Sequence, residues 1–252
     1  MDRLIKKLPD DIQAITLPFL LFTPRTNEEL REAVKLWITD ESEALKKYGH
    51  ISYWNTQYIT DMSKLFKNKI DFNNEISFWD TRNVIKMTGM FFNCKSFNQP
   101  LNFDTSKVTD MSKMFLKAKT FNQPLNFTST ENVINMQSMF CLAESFNQLL
   151  TFNTKKVNNM KRMFFIAKSF NQHLNFISTE NVTDMSFMFT SAISFNQPLN
   201  FDTKNVTDMS FMFRNAKNFN QPLNFNIENV SNLDDIFEEC PISEENKCSS
   251  TS

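Results

Sequence analysis

Side chains able to do acid–base or metal chemistry are few in this sequence and poorly grouped. The only histidines are His50 and His173. Two isolated imidazoles form neither a metal site nor a Ser/His/Asp system without partners. His173 stands where related segments carry Pro100, Pro124, Pro198, Pro222 or Leu149, so it reads as a turn residue. Asp80, Asp104 and Asp202 recur at one place, as a calcium-binding or catalytic row would require. Thr128, Asn153, Ile177 and Asn226 interrupt that row, and side-chain-capped turns account for it better. The four cysteines follow neither a zinc spacing nor a disulfide framework. Cys94 and Cys240 fall where Ala118, Ala143, Ala167, Ala192 and Ala216 stand, a slot for a small buried residue. Cys141 lies two residues before such a slot and Cys248 near the C-terminus. This usage suits a reducing compartment. The sequence therefore nominates no catalytic, cofactor-binding or metal-ligating residue, and an enzyme is not expected.

What positions these residues is a repeat. The stretch at 108–127, VTDMSKMFLKAKTFNQPLNF, returns with edits from about residue 51 to the C-terminus. The aliphatic start recurs at Ile59, Val84, Val108, Val133, Val157, Val182, Val206 and Val230, at steps of 24 or 25 residues. In the central unit Val108, Met111, Met114, Phe115, Ala118 and Phe121 step by three and four, which predicts one face of a short helix. Thr109 is the expected N-cap, and Asp110 suits the first turn. Pro124 ends the pattern, and Leu125 and Phe127 alternate like a short strand. The expectation is an α/β solenoid of about eight such strand-plus-helix units. The Asn after each Phe, from Asn73 to Asn220, reads as a structural ladder of amides. The extra residue of the longer units falls in the Ser-Thr-Glu-Asn connections ending at Asn132 and Asn181.

Phe-Asn-Gln-Pro-Leu-Asn followed by Val-Thr-Asp-Met-Ser-x-Met-Phe resembles the BspA-like repeat family, also called DUF285, over about four-fifths of the chain. Trp79-Asp80 and Trp54-Asn55 fit its Trp-Asp element, which later units replace with Phe103, Phe127, Phe152, Phe176, Phe201 and Phe225. The segment from Glu29 to Trp37 is similar to the lead-in of such repeats. The resemblance implies a leucine-rich-repeat-like stack without enzymatic activity, often found on cell surfaces or encoded by large DNA viruses and protists.

Residues 1–50 are expected to be a helical N-terminal cap, 51–242 the repeats and 243–252 a disordered tail. Leu8-Pro9-Asp10-Asp11-Ile12 opens the first cap helix and faintly resembles the start of an F-box. Thr26 or Asn27 starts a second helix, and a third covers Glu41–Tyr48 and stops at Gly49. A net charge of −1 favours neither nucleic acid nor an anionic membrane. The apolar run from Ala14 to Phe22 is too short to span a bilayer. Asp10, Asp11 and Pro18 argue against a signal peptide, so the expected place is cytoplasmic or virion-associated rather than secreted.

Positions that the core does not fix carry the functional expectation. On the predicted helices, Phe92, Leu116, Arg162, Phe165, Phe187, Phe211 and Arg214 share an outer ridge. Aromatic and Arg residues exposed on a repeat surface suggest a contact with an unidentified protein partner. The leading expectation is a non-enzymatic interaction scaffold. A structural component of a particle or envelope, with units associating laterally, is the alternative, and an F-box-like adaptor is a lesser one.

Overall fold

The computed structural model describes residues 21–248. The opening cap helix expected near residue 8 lies outside them. Helix α1 spans Asn27–Thr39 and α2 spans Glu41–Tyr48. Thr26 is the N-cap of α1, its Oγ accepting the Glu29 N–H at 3.1 Å. Gly49, at φ 69°, ends α2. Leu30, Ala33, Val34 and Trp37 of α1 are buried at the first repeat unit's end of the core. Arg31 and Asn27 supply polar contacts there. The Arg31 guanidinium donates to the carbonyls of Ser63 at 2.7 Å and Asp61 at 3.3 Å. The side-chain oxygen of Asn27 accepts the N–H groups of Thr60 and Asp61. In later units those N–H groups find the preceding unit's backbone, as Ile85 finds Thr60. Asn27 thus stands in for a missing neighbour.

The α/β solenoid of strand-plus-helix units is not formed. Among the described residues α1 and α2 are the α-helices, no unit contains one, and strands are reduced to isolated parallel bridges. Each unit is instead a rung of tandem turns. In the central rung N–H groups close turns from Met114 to Met111, Leu116 to Lys113, Ala118 to Phe115 and Phe121 to Ala118. Lys113 and Lys117 take φ of 59° and 62°, which an α-helix does not admit. The alternate N–H groups of Met111, Lys113, Phe115 and Lys117 leave the rung. They donate to Asn135, Gln137, Met139 and Cys141 of the next rung at 2.8–3.1 Å. Apolar steps of three and four suit this spiral of turns as well as a helix, and that is why the periodicity misled. Thr109 and Asp110 cap no helix: Asp110 accepts the Ser112 N–H at 2.7 Å, and the Thr109 hydroxyl reaches Ile85 O at 3.4 Å.

Packing explains the choice. α-Helices are about 10–12 Å across, so helices on closely spaced rungs must fan apart. Here two aromatic columns keep nearly equal spacing. Phe66 to Phe91 and its successors through Phe213 to Phe237 stack at 5.6–5.8 Å. Phe72 to Phe97 and its successors through Phe219 stack at 5.8–6.0 Å. Within a rung the two rings lie 3.9–4.2 Å apart. Such pairs contribute about 0.5–1.5 kcal/mol each beyond area burial.

Two polar ladders tie the rungs. The Asn98 N–H donates to Asn73 Oδ1 at 2.9 Å, and the pattern repeats up to Asn220 on Asn196. A second ladder was not read from the sequence. Thr56, Thr81, Thr105, Thr130, Thr154, Thr179 and Thr203 are buried, and each hydroxyl donates to a carbonyl of the next rung. The signal was there, a Thr two residues after the strand-like Trp or Phe, or three in the longer units. Residues 243–248, expected to begin a disordered tail, extend the Asn ladder: the Ser243 N–H donates to Asn220 Oδ1 at 2.9 Å, and Glu244–Asn246 form a 3-10 turn.

Phe140→Ala opens a cavity in the fully buried column and should cost about 3–5 kcal/mol. Ile177→Ala, at a side chain 68 % exposed, should stay within about 0.5 kcal/mol. Urea unfolding of both variants measures the difference.

Candidate interaction ridge

The ridge residues sit on the turns rather than on helices, and the structure divides them. Phe92 and Leu116 belong to the second and third rungs. Arg162 and Phe165 belong to the fifth, Phe187 to the sixth, and Phe211 and Arg214 to the seventh. Cys141, buried in the fourth rung, separates Leu116 from Phe165 in their common column. The ridge is therefore two clusters.

The larger cluster is a continuous ring-and-cation surface. Phe187 and Phe211 stack at 4.7 Å with planes 16° apart. Phe165 meets Phe187 edge-on at 6.4 Å. The Arg162 guanidinium lies 4.7 Å from the Phe187 centroid and 5.8 Å from that of Phe165. Arg214 lies 5.5 Å from the Phe211 ring and pairs with Glu238 at 2.6 Å. Lys161, one residue off the ridge columns and so without a signal in the repeat pattern, adds a cation 5.9 Å from Phe187 and pairs with Asp184 at 3.5 Å. Arg162 is exposed and the three rings are half-buried, so the patch is accessible from solvent. In the smaller cluster Lys67 lies 5.3 Å from the Phe92 ring, and Phe92 and Leu116 are half-buried.

The residue type is unusual for the backbone beneath Phe187 and Phe211. Both adopt the left-handed conformation, at φ 60° and 59°. Lys64, Gly89, Lys113, Ser138, Arg162 and Asp235 hold the same turn position with φ between 48° and 59°. The turn therefore accepts small or flexible side chains there. A bulky aromatic in this region is a marked exception, with strain of about 1–3 kcal/mol.

The recurring aspartate, histidine and cysteine side chains sit elsewhere. Asp80, Asp104 and Asp202 each accept the N–H two residues on, from Arg82, Ser106 and Lys204. Hydrogen bonds from Ser106 hold the Asp104 carboxyl below its usual range. His173 is exposed on its turn. His50 packs edge-on against Trp37 at 5.0 Å, and its Nδ1 accepts the Ser52 N–H at 3.2 Å. The described cysteines are free thiols, and burial pushes Cys94 up to about 12 and Cys141 up to about 11. Among the described residues no three of His, Cys, Asp and Glu gather as metal ligands, and no helix is long and apolar enough to cross a membrane.

A family model described as "Mycoplasma protein of unknown function, DUF285" matches residues 37–151 and 147–250. The chain belongs to DUF285. The two matched segments together contain the ridge and all of the rungs. Searches of curated proteins and of solved structures return no match. The DUF285 description names no activity.

Two outcomes test the chemistry of these groups. Burial lowers the His50 pKa from 6.5, so the unfolded chain takes up its proton first as pH falls. The stabilisation is complete above pH 6.5 and is lost as pH drops below it. Thermal melts between pH 5 and 8 should show a shallower acid-side loss in His50→Gln than in the parent. Cys94 and Cys141 should react with a thiol reagent at pH 8 far more slowly in the native chain than after unfolding, since the reactive thiolate is suppressed.

Proposed function

We propose that this DUF285 chain is a non-enzymatic repeat scaffold that binds a protein partner through the Phe165–Phe187–Phe211 patch. The observation that carries the reading is the stacked pair Phe187 and Phe211, two aromatic rings held half-exposed on left-handed backbone. Neither ring is required by the turn, because Lys, Gly and Ser fill the same place in other rungs. The left-handed backbone belongs to every rung, but a bulky ring placed on it adds strain that Lys, Gly or Ser would avoid, which points to a use outside the fold. Stacking and cation–π contacts offset part of it, at about 0.5–1.5 kcal/mol per contact. Preset aromatic rings beside guanidinium groups have the composition of binding hot spots. Arg162 is exposed and has no carboxylate within ion-pairing distance among the described residues, so the fitting partner brings an apolar side chain together with a carboxylate.

The test is the double variant Phe187→Ser, Phe211→Ser. Ser138 occupies the same turn at φ 57°, so the fold is expected to survive, as circular dichroism would show. With hot-spot rings at about 2 kcal/mol each, loss of both should weaken partner binding by a hundredfold or more. Phe92→Ser, in the separate cluster, should leave binding unchanged. Undiminished binding by the folded double variant would reject the patch as the site.

A further inference from the structure

The rungs are one-sided along their turn row. In each rung the forward-facing groups of that row are N–H donors, and the carbonyls that receive them face back from the next rung. The pattern holds from Met62 to Asn215, whose N–H meets the Glu238 carbonyl at 2.7 Å. The backward-facing carbonyls of the first rung have Arg31 of α1 as a donor. In the last rung the forward-facing N–H groups are those of Leu233, Asp235, Phe237 and Glu239. Among the described residues these four meet no acceptor.

Residues 241–248 supply this row with no acceptor, although the Lys247 ammonium comes within 5.8 Å of the Phe237 ring. They lie over the Asn-ladder side, where the Leu223 N–H donates to the Asn246 carbonyl at 3.0 Å. Leu233 is 37 % exposed, and Asp235 and Glu239 are exposed. Charge changes at the same rung. Ser210, Phe211, Arg214 and Asn215 of the seventh rung give way to Asp234, Asp235, Glu238 and Glu239. Arg214 and Lys217 pair with the two glutamates. Asp234 and Asp235 are exposed and have no cation within ion-pairing distance among the described residues.

We propose that the open turn row of the last rung is a docking edge for a Lys/Arg-rich segment of another polypeptide. The row calls for backbone carbonyls to receive its N–H groups and for cations to meet Asp234 and Asp235, and a basic peptide segment supplies both. Main-chain pairing would provide the binding energy, as when a peptide extends a sheet edge, and the carboxylates would select the sequence. A free anion could accept from the N–H groups, but the flanking carboxylates repel it. A second copy is unsuited in either orientation. Placed head to head it brings N–H groups against N–H groups, and placed head to tail it meets α1 and Arg31 on the carbonyl side. This edge is separate from the Phe187–Phe211 patch, and the two assignments stand or fall independently.

Amide hydrogen exchange on the full chain tests the proposal, with a capped ten-residue peptide of alternating Lys and Val as probe. In the free chain the amides of Leu233, Asp235, Phe237 and Glu239 should exchange far faster than those of Met209, Phe211, Phe213 and Asn215. Adding the peptide should slow these four selectively. A peptide of alternating Glu and Val should not. Asp234→Lys with Asp235→Lys should weaken binding of the basic peptide about tenfold at low salt. Lys64 and Lys113 already occupy the position of Asp235 in other rungs, at φ 58° and 59°, so that variant should fold. Phe187→Ser with Phe211→Ser should leave peptide binding unchanged. The proposal is overturned if the four amides are already protected in the free chain, whether by residues 249–252 or, in a concentration-dependent way, by a second copy. It is equally overturned if both peptides act alike, or if protection appears elsewhere.

Discussion

The hydrogen bond from each rung's turn row to the next is the constraint on which the rest of this molecule depends. Half of the N–H groups on the row close turns within a rung, and the alternate half cross to the neighbour. Both halves must be satisfied, because an unpaired buried amide costs about 1–3 kcal/mol. A helix would use them internally and leave side-chain contacts alone to hold this row of one repeat on the next. The turn spiral divides them, so cohesion between rungs comes from the backbone itself. Positive φ at two places per rung is the geometric consequence.

Once the rungs are locked at one spacing, the side chains follow. Identical residues lie above one another, so Phe stacks on Phe, Asn on Asn and Thr on backbone through every rung. A stacked Asn satisfies its neighbour's N–H through one amide oxygen, and a stacked Thr satisfies a carbonyl through one hydroxyl. Both ladders place a polar group beside the aromatic columns without leaving it unpartnered. The ends are where the repetition fails, and both are dressed in charge or side-chain polarity. At the start Asn27 and Arg31 imitate an absent rung. At the finish carboxylates surround donors that meet no acceptor among the described residues. The aromatic patch is a different kind of exception. It lies in mid-stack, on positions that the hydrogen bonds leave open to any residue able to bear the left-handed turn.

The sequence by itself determined the repeat, its period, the residues that enter the core, the Asn ladder and the helices α1 and α2. These follow from spacing, composition and capping residues, which are local facts. Thr26 ahead of two glutamates is a local signal for a helix start, and Phe recurring every 24 or 25 residues must stack if the units stack at all. The ridge residues were legible as the variable positions of the repeat, because whatever the core does not fix is free to differ. Only the tertiary structure decided that the units are turns rather than helices and strands. Met111, Met114, Phe115 and Ala118 present the same face in either case, and the choice rests on hydrogen bonds between residues 24 or 25 apart, which no single unit contains. The same long-range bonds place Phe187 and Phe211 in left-handed backbone, split the ridge at the buried Cys141, and, among the described residues, leave the last row of N–H groups without acceptors.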